Sequence, residues 1–424
     1  METVFILSFL VMALIGVPVA YALCVSVSFI LFQYMDLPQV LITQNMFSGI
    51  DSFSFMAVPF FMLAGAFMSA GGVTARLVNV AQAMVGSFTG GLAQAVSVAG
   101  MFFAAISGSS AATTAAIGST MINEMESKGY RRELATGIVA ASGTVGIVIP
   151  PSITFVVYGV IANVSIGDLF VGGVLPGILM GLSMCLMGWY IARKEHIPPE
   201  GEFSAIRLFK TIKDAFWAML TPVIIIGGIY GGIFTPTEAA AVAAVYGIVV
   251  GMFVYRELKL RDFPEIVFKA VIGTTLIMFL VGAAKVFGWL MTNLQIPHHV
   301  GAAVVALTTS PVAFMLIMNV LLLILGTLVN ASAAVVILTP IFLPVATSLG
   351  IDPLYFGVVM VVNLAIGCIT PPVGLDLFVA SAITKVPLER VMKATLPFLF
   401  ALLVTLLVIT LVPPIATVLP SLLH

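Results

Sequence analysis

Hydroxyl side chains cluster in residues 105–116 of an otherwise apolar chain. They are Ser107, Ser109, Ser110, Thr113 and Thr114, with Gly108 among them. Small residues let helices pack closely, so one interpretation is a helix-packing interface. The other is a helix break at mid-membrane depth, which is tolerated only where the backbone is buried in protein or lines a polar cavity. Free carbonyls and hydroxyls at such a break can replace the hydration shell of a small cation.

Two double-proline segments could supply further oxygen ligands. Pro150-Pro151 lies in residues 143–152, and Pro371-Pro372 lies in residues 367–374. Proline lacks an N–H and prevents upstream carbonyls from closing their helical bonds, which predicts a kink or an unwound centre. Each of these two centres is expected to face a polar hairpin tip, one near Ser107 and the other in residues 326–332. This arrangement favours a pair of sodium sites over simple kinks in two helices. The helix after each break begins with free N–H groups and a positive dipole end, which suits an anionic substrate.

The composition identifies the elements that must position these residues. Of 424 residues, 61% are hydrophobic and 8% are charged, whereas a soluble domain is about 25% charged. This excludes a soluble globule, a disordered chain and a nucleic-acid binder. The longest hydrophilic stretch, about 193–214, has the length of a loop. The chain is therefore expected to be a polytopic helical protein of the lipid bilayer.

Apolar runs predict twelve membrane segments. Segments 91–122 and 311–346 have polar centres and are predicted to be re-entrant hairpins, whereas 134–164 and 353–384 are predicted to be broken helices. The other spans are expected near 3–16, 18–34, 53–70, 169–192, 216–233, 237–255, 268–292 and 393–419. The predicted fold class is an all-α polytopic membrane protein with about ten transmembrane helices and two re-entrant hairpins.

An internal repeat relates the two halves of the chain. Pro150-Pro151 matches Pro371-Pro372, and Leu175-Pro176 matches Leu396-Pro397, each at a shift of 221 residues (371 − 150 and 396 − 175). Each half contains an odd number of crossings, so the two repeats are inverted relative to each other. With both termini periplasmic, all of the 17 basic residues except Lys285 fall on the cytoplasmic side, as the positive-inside rule requires.

Two charged residues lie within the predicted membrane segments. Asp376 follows the second break and is costly there unless it is paired or wetted. It either tunes cation or substrate binding or faces a water-filled crevice. Lys285 either extends outward to the interface or contacts an anionic substrate or a fixed partner.

Enzymatic activity is not expected. The four histidines, His196, His298, His299 and His424, fall in predicted loops or at the terminus, so no general base is available at the depth of the serine cluster. The sequence has no GxxxxGK[ST] loop for ATP, and no organic cofactor is expected.

Several motifs together resemble the large membrane subunit of tripartite ATP-independent periplasmic (TRAP) transporters over essentially the whole chain. They include Ala-Ile-Ser-Gly-Ser at 105–109, Ile-Pro-Pro-Ser at 149–152, Leu-Thr-Pro at 338–340 and Ile-Thr-Pro-Pro-Val-Gly at 369–374. The resemblance implies a sodium-driven importer of an organic anion in a bacterial inner membrane. It also implies a small membrane subunit of about four helices, a periplasmic substrate-binding protein and an elevator mechanism.

The resemblance also implies site residues and a division of the chain. One sodium ion would be held by Ser107, Ser110, Gly146, Ile149 and Pro150, and a second by Gly326, Gly367, Thr370 and Val373. Candidate substrate-binding residues are Ser109, Thr113, Ser152, Asn330, Ser332 and Asp376. Asn330 replaces an acidic residue of many relatives, and Asp376 stands where the family often has an uncharged residue. Scaffold helices would occupy 1–72. The first part of the transport domain would occupy 73–192. A cytoplasmic amphipathic segment and the scaffold helices of the second repeat would occupy 193–267. Residues 268–424 would contain the remainder of the second repeat, including the second part of the transport domain.

Three alternatives remain open at this stage. A stand-alone sodium/dicarboxylate symporter of related architecture would work without a binding protein, a passive channel would not accumulate its substrate, and a membrane enzyme would need the missing base. Both a C4-dicarboxylate and a sialic-acid-type sugar acid are possible substrates.

Overall fold

The computed structural model describes residues 1–35, 37–199 and 201–423, and within them the regular structure is helical. The first ten helices are α1 (Glu2–Leu14), α2 (Val19–Ile30), α3 (Val40–Ile50), α4 (Ala57–Ala70), α5 (Val73–Val85), α6 (Gly91–Ser107), α7 (Ser110–Ser127), α8 (Arg132–Gly143), α9 (Ile153–Ala162) and α10 (Ile166–Lys194). The other ten are α11 (Ala205–Tyr230), α12 (Pro236–Val249), α13 (Phe263–Asn293), α14 (Ile296–Leu307), α15 (Pro311–Leu328), α16 (Ala331–Ser348), α17 (Pro353–Gly367), α18 (Leu375–Thr384), α19 (Leu388–Leu411) and α20 (Pro414–Leu423).

Eight helices in the described ranges are long and apolar enough to cross a membrane, which confirms the polytopic membrane class. They are α10, α11, α13, α15, α16 and α19, with α4 and α12 once the adjoining helical turns are included, which extend these two to Phe53–Ala70 and Pro236–Val254. The predicted broken helices are not among them because each is divided into two short helices, α8 with α9 and α17 with α18. At about 1.5 Å per residue, a half-helix such as α9 reaches only about half-way across the hydrocarbon core.

Both predicted hairpins are present. In the first, α6 and α7 are separated by two residues, and in the second, α15 and α16 are separated by two residues. The arms of the second hairpin are long enough to span the membrane, so length alone does not define it as re-entrant. Its tip, however, packs at the level of the break between α17 and α18, where Gly326 meets Gly367.

The predicted repeat is visible as two equivalent sets of elements. Each half contains a hairpin, then a helix broken at a Pro-Pro pair, then a long helix with an internal proline, Pro176 in α10 and Pro397 in α19. The Pro150-Pro151 and Pro371-Pro372 peptide bonds are both cis.

The two halves exchange contacts at their breaks. Arm α7 of the first hairpin packs against α18 of the second half, and arm α16 of the second hairpin packs against α9 of the first half. Helix α13 packs against α2, α3, α4 and α16. The two hairpins and the two broken helices therefore form one interlocked unit, with α4 and α13 beside it.

Some expectations about local structure were wrong. Residues 205–214, part of the hydrophilic stretch with the length of a loop, form the start of α11. The structure also adds helices α3, α5 and α14, which are outside the eight candidate spans and so do not conflict with the predicted spans. His298 and His299 lie in the first turn of α14 rather than in a loop, and His424 lies outside the described residues. These helices are short or continue a span into a polar region, so their hydrophobic runs are too brief to be recognised as spans.

Candidate ion and substrate site

The first hairpin tip is a tight turn that rests on the first break. Helix α6 ends at Ser107, Gly108 adopts a left-handed conformation with φ of 61°, and Ser109 caps α7. A Cβ atom on Gly108 would lie 2.8 Å from the carbonyl oxygen of Pro151. Glycine is therefore required here both for the positive φ and for the close approach of the two backbones.

Hydroxyls at this tip form a buried network. The Ser107 and Thr113 hydroxyl oxygens are 2.9 Å apart, and the Thr113 hydroxyl donates to the Ser109 carbonyl at 2.8 Å. A Cβ on Gly146 would lie 2.4 Å from the Thr113 hydroxyl oxygen and 2.7 Å from the Ser109 carbonyl oxygen. The structure thus brings Ser107, Thr113 and Gly146 together, although they come from three different elements, α6, α7 and the turn after α8.

The first break leaves peptide oxygens without helical partners. After α8, one turn of 3-10 helix over Thr144–Ile147 leads into the Pro150-Pro151 pair. In the described chain, the carbonyls of Gly146, Ile149 and Pro150 accept none of the backbone hydrogen bonds. These are the oxygens that the resemblance assigns to sodium.

The side chain of Ser152 closes the break and begins the next helix. Its hydroxyl donates to the Ile147 carbonyl at 2.6 Å and accepts from the Phe155 amide at 3.3 Å. Its side chain is fully buried. Both hydrogen-bonding directions of this hydroxyl are therefore used within the protein.

The second tip packs on the second break in the same way. A Cβ on Gly367 would lie 2.7 Å from the Cα of Gly326, and the Gly374 amide donates to the Thr327 carbonyl at 3.2 Å. The Thr370 hydroxyl donates to the Ile366 carbonyl at 2.8 Å. The structure therefore brings three of the predicted ligands, Gly326, Gly367 and Thr370, into one small region.

Val373 and Asn330 complete this second region. Val373 lies between the end of α17 and the start of α18, where the described chain has no helical bond to its carbonyl. Asn330 caps α16 by accepting from the Ser332 amide at 2.9 Å. The two half-helices α9 and α18, and the hairpin arms α7 and α16, thus all begin close to the two breaks.

The hairpin tips enclose a cavity of about 360 Å³ together with α4 and α13. Ser109, Ser110, Asn330 and Ser332 line it, whereas Thr113 and Ser152 are buried in the hydrogen bonds described above. Its other wall includes Met62 of α4 and Gly273 of α13. The cavity therefore lies between the interlocked unit and its neighbouring helices.

A contact that the sequence did not predict links the first break to the second tip. The Thr154 hydroxyl, in the first turn of α9, lies 3.3 Å from the Ser332 hydroxyl. Asp376 occupies the equivalent place in α18, since each is the second residue of its half-helix (376 − 154 = 222). The shift of 221 between the proline pairs would instead match Asp376 with Phe155 (376 − 221), so the sequence repeat alone does not identify Thr154.

Lys285 lines a separate cavity of about 460 Å³ between α13 and α3 on one side and α9 and α16 on the other. Asn45, Thr292 and Asn293 contribute polar groups to its wall. The side chain of Lys285 packs on Gly49, where a Cβ would lie 2.6 Å from the Lys285 Cβ. Lys285 is nevertheless an exposed residue. The structure therefore places its side chain at the wall of this crevice, with access to the surroundings of the protein.

Solved structures of other transporters share this architecture. The Alcanivorax borkumensis YdaH transporter aligns with a TM-score of 0.61 and 15% sequence identity, covering 87% of this chain and 86% of that one. Neisseria gonorrhoeae MtrF aligns with a TM-score of 0.58 and 13% identity, covering 89% of this chain and 84% of that one. At these identities the likeness concerns the fold.

Sequence comparisons identify the family. The sequence model described as "Tripartite ATP-independent periplasmic transporter, DctM component" matches residues 6–415. The isethionate TRAP transporter permease protein DctMQ of Oleidesulfovibrio alaskensis is 46% identical over 96% of this chain, which spans 64% of that longer protein. The C4-dicarboxylate large permease DctM of Pseudomonas aeruginosa is 46% identical (89% of this chain, 88% of the relative), and the sialic acid large permease SiaM of Vibrio cholerae is 39% identical (89% of each). The chain therefore belongs to the DctM family, the large permease components of TRAP transporters.

Proposed function

We propose that this protein is the large permease subunit of a sodium-coupled importer of an organic anion in a bacterial inner membrane. The observation that supports this most strongly is the pair of Pro-Pro breaks, each with unpaired peptide oxygens and each covered by a hairpin tip, around one shared cavity. A small membrane subunit and a periplasmic binding protein would complete the transporter. Both termini would be periplasmic.

Sodium would bind at the breaks through neutral oxygens. At the first break these are the Gly146, Ile149 and Pro150 carbonyls with the Ser107 and Ser110 hydroxyls. At the second they are oxygens of Gly326, Gly367, Thr370 and Val373. Carbonyl dipoles can replace the hydration shell of an alkali ion, and the resulting positive charge favours an anion nearby.

The substrate would occupy the cavity between the tips. Four helix N-termini, of α7, α9, α16 and α18, begin around it and present partial positive charge. Ser109, Asn330 and Ser332 offer hydrogen bonds to an oxyanion. The relatives named above transport isethionate, C4-dicarboxylates or sialic acid according to their names, and all of these are organic anions. A carboxylate or sulfonate is therefore the proposed ligand class.

Transport would proceed by an elevator movement. Because α7 packs against α18 and α16 packs against α9, both proposed sodium sites belong to one packed unit. This unit would slide against α4 and α13, which form the other wall of the cavity. Sodium and substrate would then cross together because both are bound to the same rigid body.

Uptake by proteoliposomes tests this proposal. Vesicles would contain the purified chain and its small membrane subunit, with a substrate-loaded binding protein outside. An imposed inward sodium gradient should drive accumulation above the external concentration, and an equal choline gradient should not. Strong accumulation by the chain without a binding protein would instead indicate a stand-alone symporter. Flux that only equilibrates the substrate would indicate a channel.

A further inference from the structure

Asp376 is a buried carboxyl group without an ordinary hydrogen bond. Its side chain is fully buried, and neither carboxyl oxygen has a hydrogen-bond partner within the described residues. Helix α7, which begins at Ser110, packs against α18, and the Ser110 hydroxyl and the Cys368 thiol are neighbours of this carboxyl group. An ionised group in this position is strongly unfavourable unless a cation accompanies it.

Asp376 also connects the two halves of the protein. Its backbone amide donates to the Cys368 carbonyl at 2.9 Å, which fixes it to the second break. Its side chain meets Ser110 at the tip of the first hairpin. In the equivalent contact on the other side, Thr154 meets Ser332 through two neutral hydroxyls. The carboxyl group therefore makes the two otherwise similar regions electrostatically different.

The surroundings of Asp376 suit a cation better than the substrate. Ser110, Cys368 and Leu375 line the central cavity, whereas Asp376 lies behind them. A carboxylate there would repel an anionic substrate and would attract a positive ion held by the hydroxyl that it faces.

From these observations we propose that Asp376 is a ligand of the sodium ion at the first hairpin, contributed across the α7–α18 interface together with the Ser110 hydroxyl. The proposal rests on the proposed sodium coupling and makes the first site the more tightly binding of the two. Sodium bound there would neutralise the carboxylate and hold α18 of one half against α7 of the other.

Sodium titration of the purified full chain tests the proposal without substrate or binding protein. Thermal stability would be measured as sodium replaces choline at constant ionic strength. Asp376→Asn should raise the sodium concentration for half-maximal stabilisation at least about tenfold, as loss of a metal-site partner typically does. Ser110→Ala should shift the midpoint in the same direction, and adding it to Asp376→Asn should cause little further change.

Asp352→Asn is a matched control. It removes a carboxylate at the N-terminus of α17, and asparagine can cap a helix as well as aspartate can, so the sodium midpoint should stay that of the wild type. A wild-type midpoint in folded Asp376→Asn would overturn the proposal.

A second measurement uses the wild-type chain alone, in case the Asp376→Asn variant fails to fold. Dicyclohexylcarbodiimide, an apolar reagent for buried carboxyl groups, should modify Asp376 in choline, and sodium should protect it, as read by peptide mass spectrometry. Equal labelling with and without sodium, including none in either, would overturn the proposal. If the wild type shows sodium-driven uptake but Asp376→Asn binds sodium as tightly as the wild type, the role of Asp376 is refuted and the proposed sodium coupling is not. Protection by sodium without sodium-driven uptake would refute the coupling instead.

Discussion

Gly367→Ala should damage the second sodium site without unfolding the protein. A Cβ at this position would lie 2.7 Å from the Cα, 2.8 Å from the carbonyl carbon and 3.0 Å from the carbonyl oxygen of Gly326. Ordinary contacts between carbon atoms are about 3.5–4.0 Å. All three atoms belong to backbone, so no side chain can rotate away, and the hairpin tip must move by roughly 1 Å.

The expected cost in stability is small because two effects oppose each other. Overpacking costs about 1–3 kcal/mol, whereas alanine in place of glycine in a helix gains up to about 1 kcal/mol. The displacement of the Gly326 carbonyl from Thr370 and Val373 is more serious for ion binding. We expect the sodium concentration for half-maximal uptake to rise by about 10–100-fold.

The assay is uptake by proteoliposomes at saturating loaded binding protein, with sodium varied against choline. Gly227→Ala serves as the control because no atom lies within 4 Å of the added Cβ, and it should keep the wild-type sodium dependence. Wild-type sodium dependence in a folded Gly367→Ala protein would refute the assignment of this contact to an ion site.

Three further predictions concern the same region. Ser107→Ala and Thr370→Val should each weaken the sodium dependence of uptake while the protein remains inserted and folded. Unchanged sodium affinity in both variants would mean that the sites lie elsewhere or that backbone carbonyls bind sodium without these two hydroxyls. Gly108→Ala should destabilise the protein, because a left-handed alanine costs about 1–2 kcal/mol in addition to the contact with Pro151, and a wild-type melting temperature would contradict this. Lys285→Gln should slow uptake of the anionic substrate, most strongly at low ionic strength, because it removes the positive charge from the crevice between α13 and α9. Lys269→Gln in the same helix, whose exposed lysine pairs with Glu265, should have little effect, and equal effects of the two would exclude a specific role for Lys285.

The sequence was sufficient to predict the membrane class, the hairpins, the broken helices and their repeat. These features follow from strong local signals: long apolar runs, polar tips such as the one around Ser107, and Pro-Pro pairs that cannot continue a helix. The short helices α3, α5 and α14 were missed because a brief or partly polar run gives no clear periodic signal.

The sequence did not predict the contacts between the halves. The packing of α7 on α18 and of α16 on α9 depends on tertiary structure, so the pairing of Thr154 with Ser332 could not be read from local patterns. The position of Asp376 just after the break was predicted, but its neighbour Ser110 lies 266 residues earlier in the chain (376 − 110). Only the fold shows that this carboxyl group faces the first hairpin rather than the second.

An experimental density map of the complete transporter in sodium, compared with one in choline, tests the central claim most directly. The account predicts an ion peak at each Pro-Pro break, contacted by the carbonyls of Gly146 and Ile149 at the first and of Gly367 and Val373 at the second, and lost in choline. Unbroken helices through both proline pairs, or sodium-independent density at both breaks, would contradict it.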